Sequence, residues 1–256
     1  MHRFLTLLFL ILLNPIQGSC CEIHKCPGSI YCLQASIGEI LSISASLSIY
    51  PFPDRKIDKA HPGPNVLLIH GYLHNTSPWG WFRSELQKSG MGSVNTVYYP
   101  SFCVGVLQAS CYVQRKIDFL NNRGQFPDIL IGHSVGGLVA LEYALTYAPK
   151  DRIITVIALA SPLEGTQLAK IAAGPIAEEI LPHSPYLQSL HQRLKYAPHI
   201  RFLALSSAVD EIIRPPQNAI WIDFPYQVFP NLGHVQFLFS RNVVKTCVCF
   251  INSEKQ

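Results

Sequence analysis

Charge is scarce in this chain: 14% of the 256 residues are Asp, Glu, Lys or Arg, and the net charge is only +4. The Lys and Arg residues are scattered, so no basic stretch offers a surface for nucleic acid. Eight cysteines are too few per residue for a disulfide-held miniprotein, and no pair of C-x-x-C motifs supplies zinc-ligand spacing. Internal repeats and low-complexity tracts are missing. No apolar run approaches the roughly 20 residues needed to cross a bilayer core. What is abundant is apolar surface, with 48% hydrophobic residues, 11% aromatics and a mean hydropathy of +0.20. That composition excludes disordered, collagen-like and coiled-coil chains, and at this length a single α/β domain is the expectation.

Residues 1–19 open with His2 and Arg3, continue with an apolar run over 4–13, and finish on Asn14-Pro15-Ile16-Gln17-Gly18-Ser19. This charged, apolar and small-residue succession is that of a secretory signal, and a run of about ten residues is half a membrane span. The chain is therefore expected to be exported, either secreted or held in the cell envelope. Ser19 before Cys20 also fits a lipid-anchor cleavage point, but Gln17 stands where such sites carry an aliphatic residue, so the anchor is the lesser reading. Through it, peripheral or lipid-anchored membrane contact stays open. An exported chain meets oxidants, which admits disulfides between Cys26 and Cys32 and between Cys103 and Cys111, each closing a short loop. Cys247 and Cys249 sit in an alternating Val-Cys-Val-Cys-Phe-Ile run that reads as a strand.

Residues 20–63 form an N-terminal segment of unassigned structure, Ser-, Ile- and Leu-rich from 36 to 50 and punctuated by Pro51-Phe52-Pro53-Asp54 and His61-Pro62-Gly63-Pro64. Regular patterning then begins, and 64–256 reads as the folded domain. Val66-Leu67-Leu68-Ile69 and Asp128-Ile129-Leu130-Ile131 are short continuous apolar runs of the kind found in strands buried on both faces. Further strands are expected over 94–99, 153–159 and 200–205. Ser77 and Pro78 read as the cap and first position of a helix that Gly90 stops. Helical spacing over 109–120 and 138–147 supplies two more. Strands alternating with helices predict a mostly parallel central sheet with helices on both faces. The alternation breaks over about 161–199, a proline-containing stretch read as a cap insertion of short helices.

Gly132-His133-Ser134-Val135-Gly136 matches G-x-S-x-G, a pattern that carries little alone because Gly and Ser are common. Its setting gives it weight, since a strand-like run precedes it and a helix-like run follows. Glycines are needed where the serine occupies a strained bend and flanking side chains would collide with neighbouring elements. A serine hydroxyl is a poor nucleophile at neutral pH and needs a base to take its proton, a task suited to imidazole. Of ten histidines, His234 fits best, following Asn231-Leu232-Gly233 in an expected loop after the last strand, with His70, His74 and His133 as rivals. An orienting carboxylate is also required. Asp210 follows the apolar strand Phe202-Leu203-Ala204-Leu205, with Glu211 adjacent and Asp223 the outside candidate.

Taken together, Ile69-His70-Gly71-Tyr72, Gly132-His133-Ser134-Val135-Gly136-Gly137, Ala160-Ser161-Pro162-Leu163-Glu164-Gly165-Thr166, Asp210 and Gly233-His234 resemble the α/β-hydrolase superfamily, most closely its bacterial lipases and esterases. The likeness spans roughly residues 64–240. It implies the α/β-hydrolase fold with a short cap, and a nucleophile, acid and base in the chain order Ser134, Asp210, His234. It also implies an oxyanion hole from the backbone N–H groups of Tyr72 and Val135. The implied substrate is a small-molecule acyl ester or lipid, hydrolysed through an acyl-enzyme without any cofactor. No motif for a calcium or other metal site accompanies it. Two alternatives stay open: an acyl-thioesterase with the same triad, and a non-catalytic lipid-binding envelope protein. Leu168, Ile171, Ala172, Ile176 and Ile180 are candidates for an apolar cap face over the serine, or for a helix packed permanently in the core.

Overall fold

The computed structural model describes residues 57–253 together with Ser36, Glu39, Leu41 and Ser42. The expected signal, Cys20, Cys26 and Cys32 lie outside the described residues. Six strands, β1 (Val66–Ile69), β2 (Val94–Val97), β3 (Ile129–His133), β4 (Ile154–Leu159), β5 (Ile200–Ser207) and β6 (Tyr226–Phe229), form one sheet in the order β2-β1-β3-β4-β5-β6. Every neighbouring pair is parallel. Parallel neighbours need long crossovers, and these are supplied by α1 (Trp79–Lys88), α2 (Val106–Asn121) and α3 (Val135–Thr146), with α4 (Pro175–Glu179) and α5 (Pro185–Lys195) between β4 and β5. A last helix, α6 (Arg241–Asn252), closes the described chain.

Alternate strand residues serve opposite faces. Leu67, Ile69, Leu130, Val156 and Ala158 join the core beneath α2 and α3, whereas Val66, Leu68, Ile131, Ile157 and Leu159 pack under α1 and α6. The inner strands β1, β3 and β4 are buried throughout, which explains their largely apolar runs. Strand order reverses between β1 and β3, the two strands whose carboxyl ends carry His70-Gly71 and Ser134. In open parallel sheets this switch point is where the crevice for a ligand forms.

Several local expectations change. Cys247 and Cys249 lie on helix α6, where Val243, Val244, Cys247 and Ile251 form its buried face at three-to-four spacing. The alternating run is too short to tell the two periods apart. Cys103 and Cys111 are separate thiols, with the Cys111 sulfur 3.2 Å from the Tyr147 hydroxyl. Helix α1 begins one residue later than expected, with Pro78 at the cap position and the Ser77 hydroxyl donating to Asn75 Oδ1 (2.6 Å). Strand β6 had no clear signature because Tyr226, Gln227 and Val228 are exposed at the sheet edge.

Between β4 and β5 the chain forms a 3-10 turn (Gln167–Ile171), α4 and α5. The candidate apolar cap face is divided: Ile176 and Ile180 are buried in the core, while Ile171 is exposed. Two carboxylates fasten these helices. Glu179 Oε2 accepts from the Val106 N–H that opens α2 (2.7 Å), and buried Glu142 of α3 receives Arg193 Nη2 of α5 (2.6 Å) and the Tyr186 hydroxyl (2.9 Å).

Candidate active site

Strand β3 ends at His133 and α3 starts at Val135, so Ser134 alone makes the turn, at φ 55° and ψ −129°. A non-glycine residue held there stores strain on the order of 1–3 kcal/mol, sustained by its surroundings. Its N–H donates to Leu159 O (2.8 Å), and its carbonyl accepts from Gly137 N (3.1 Å). The neighbouring glycines are required by backbone approach: a Cβ at Gly132 would lie 2.2 Å from Gly136 C and O, and one at Gly136 2.2 Å from Ile69 O. A Cβ at Gly71 would lie 2.9 Å from Ser134 Cβ and 3.5 Å from its Oγ, which sets the loop leaving β1 directly against the serine. Tyr72 follows in that loop, and its hydroxyl donates to Ala173 O of the cap. Val135, the first residue of α3, lies on the other side of Ser134.

Asp210 and His234 meet across 24 positions of sequence. Both are buried, and His234 Nδ1 lies 2.9 Å from Asp210 Oδ2 and 3.2 Å from Oδ1. Asp210 is itself held, its Oδ1 accepting from the N–H groups of Ile212 and Ile213 (2.8 Å each). Burial pulls the imidazole pKa of His234 down, but the adjacent Asp210 carboxylate outweighs it, and the net result is a pKa above the ordinary 6.5. With Nδ1–H engaged by the acid, Nε2 is the nitrogen left to take a proton. The pair stands beside the serine turn: the His133 ring lies 4.8 Å from the His234 ring, and His133 Nε2 donates to the His234 carbonyl (3.0 Å).

The rival histidines have other work. His70 stacks on Tyr99 and receives the Tyr99 N–H on Nε2 (3.3 Å), and burial lowers its pKa to about 4. Burial, with the neighbouring histidines, lowers His74 to about 3 and also holds His133 well below its ordinary value. All three are neutral imidazoles at neutral pH. Among the rival acids, Asp223 is bound to His191 (2.8 Å) and Lys195 (2.8 Å) at the surface. Glu211 turns to the main chain of the histidine loop, accepting weakly from His234 N (3.3 Å).

The sequence reading missed one residue at this site. Glu39, a residue of the N-terminal segment with helical backbone, is 2% exposed and accepts from Val235 N (2.7 Å) and Gln236 N (3.0 Å). Its carboxyl also hydrogen-bonds that of Glu211. No signal near Glu39 announces this, because its partners are almost two hundred positions away.

Comparison with known proteins agrees with this architecture. Among solved structures, the mature form of a lipase from Bacillus licheniformis superposes with a TM-score of 0.63 at 13% identity, over 77% of this chain and 95% of that one. A monoacylglycerol lipase from Paleococcus ferrophilus gives 0.54 at 18% identity, over 76% and 99%. Lipase B from Aspergillus fumigatus gives 0.56 at 16%, over 74% and 52%. These identities speak for the fold. No curated protein matches by sequence. The family model described as the alpha/beta hydrolase family matches residues 66–233, more than half of the chain, and the chain belongs to that family.

Proposed function

We propose that the protein is a serine ester hydrolase acting on acyl esters of small molecules or lipids. The observation that carries this reading is the buried Asp210–His234 hydrogen bond, 2.9 Å long, beside a serine held at φ 55° on a strand-to-helix turn. In the proposed reaction His234 Nε2 takes the Ser134 hydroxyl proton as Oγ attacks the acyl carbon. Asp210 keeps the imidazole in the required tautomer and stabilises the imidazolium. The N–H groups of Tyr72 and Val135 receive the developing oxyanion, and the imidazolium returns its proton to the leaving alkoxide. Water then repeats the sequence on the acyl-enzyme. The lipases among the solved structures of like fold favour an apolar acyl group. We also propose export, with residues 1–19 removed; mass spectrometry of the purified protein finding Met1 retained would overturn that part.

The deciding experiment is fluorophosphonate labelling of the purified protein and its Ser134→Ala variant. Labelling of the wild type at Ser134, absent in the variant, is the expected result, and equal labelling of the two would remove the nucleophile. Acyl esters compared with thioesters of matched chain length then separate an esterase from a thioesterase.

A further inference from the structure

Glu39 is an expensive residue to place where it lies. A carboxyl group buried to 2% exposure has lost its water and is tolerated only when its oxygens are satisfied, and here both are, by the N–H groups of two successive residues, Val235 and Gln236. Those residues immediately follow His234. The next N–H back along the chain, that of His234 itself, points at Glu211, whose oxygens lie 3.3 and 3.4 Å away. Three consecutive main-chain donors therefore converge on two carboxyl groups that also bond to each other. The approach is close enough to dictate the neighbouring residue, since a Cβ at Gly233 would lie 2.4 Å from Glu39 Oε2. Burial, and the facing Glu211, push Glu39 well above the usual carboxylate range, and burial likewise raises Glu211. Both shifts favour the neutral form, which lessens the repulsion of two buried charges.

Glu211 is the immediate neighbour of Asp210, so the two carboxyl groups form a bracket around the histidine. Asp210 holds the ring through Nδ1, and Glu39 with Glu211 holds the backbone that carries the ring. We propose that Glu39, delivered by the N-terminal segment, is a positioning residue for the general base: with Glu211 it clasps the main chain of residues 234–236 and fixes His234 in register with Asp210 and Ser134. The inference rests on the reading of Ser134, Asp210 and His234 as the catalytic set. It assigns the segment before the hydrolase domain a part in catalysis beyond linkage.

The test compares the full chain with Glu39→Ala and Glu39→Gln for steady-state ester hydrolysis, fluorophosphonate labelling rate and thermal melting. A clasp that orients the base acts on the chemical step, so Glu39→Ala is expected to lower kcat and the labelling rate by about 10- to 100-fold with KM within about threefold of wild type. Glu39→Gln keeps one acceptor for the loop and a donor for Glu211, and should lose about two- to tenfold. A folded Glu39→Ala protein with wild-type kcat overturns the proposal, as does a Gln variant as impaired as the Ala variant. If Glu39→Ala does not fold, Glu39→Gln decides alone: lowered kcat at unchanged KM supports the clasp, and wild-type kcat overturns it. A wild-type protein that fails to label at Ser134 would instead overturn the catalytic reading beneath it.

Discussion

Replacing Asp210 by Asn tests the proposed triad with little disturbance of shape. Asp210 Oδ1 accepts two main-chain N–H groups, from Ile212 and Ile213, at 2.8 Å each. An asparagine offers one acceptor, and those two donors hold it at that corner. Its amide nitrogen then occupies the Oδ2 position, 2.9 Å from His234 Nδ1. Two donors cannot face each other, so Nδ1 must lose its proton and Nε2 must carry one, which is the wrong tautomer for accepting the Ser134 proton. By analogy with the same exchange in other serine hydrolases, kcat should fall by about 10⁴-fold. That factor corresponds to about 5 kcal/mol of lost transition-state stabilisation. The amide satisfies the same backbone donors, so the melting temperature should move by no more than about 4 °C. Initial rates on a short p-nitrophenyl ester, with melting curves of both proteins, provide the measurement. A loss under about tenfold in an intact variant would refute the reasoning, and so would equal damage from Asp223→Asn at the exposed His191 pair.

Other consequences are open to measurement. Since Asp210 holds the His234 pKa above 6.5 and the base must be neutral to act, kcat/KM should rise with pH through an apparent pKa above that value, and a midpoint well below 6.5 would contradict the assignment. The same raised pKa favours folding fully below the unfolded value of 6.5, and this contribution disappears as pH rises through the folded pKa, an effect urea titrations across that window would detect. Gly132→Ala puts a methyl group 2.2 Å from the Gly136 backbone, which cannot swing aside; a destabilisation of at least about 3 kcal/mol or loss of soluble protein is expected, and near-wild-type stability in denaturant would contradict it. Arg193→Ala leaves the buried Glu142 carboxylate without its 2.6 Å partner, and because Arg193 is partly exposed the expected cost in urea unfolding is about 2 kcal/mol, tying α5 to α3.

Much of the sheet was readable along the chain because its inner strands are buried on both faces, and continuous apolar runs such as Val66 to Ile69 have few other uses. The turn at Ser134 was readable too, since backbone approaches near 2 Å permit only glycine at 132 and 136 and leave a local pattern in the sequence. Edge strand β6 was not, because an exposed strand needs no apolar run, and α6 was mistaken for a strand where a few alternating residues satisfied both periods.

What the amino-acid order determined by itself was therefore what neighbouring residues impose on one another: the buried strands, the strand-to-helix turn and the candidates for acid and base. Only the tertiary structure decided among candidates whose partners are remote. It set Asp210 rather than Glu211 or Asp223 against His234, turned His70, His74 and His133 into buried neutral rings, and brought Glu39 from the N-terminal segment under the histidine loop. Hydrogen bonding and desolvation act through space, so a side chain's role follows from what surrounds it after folding.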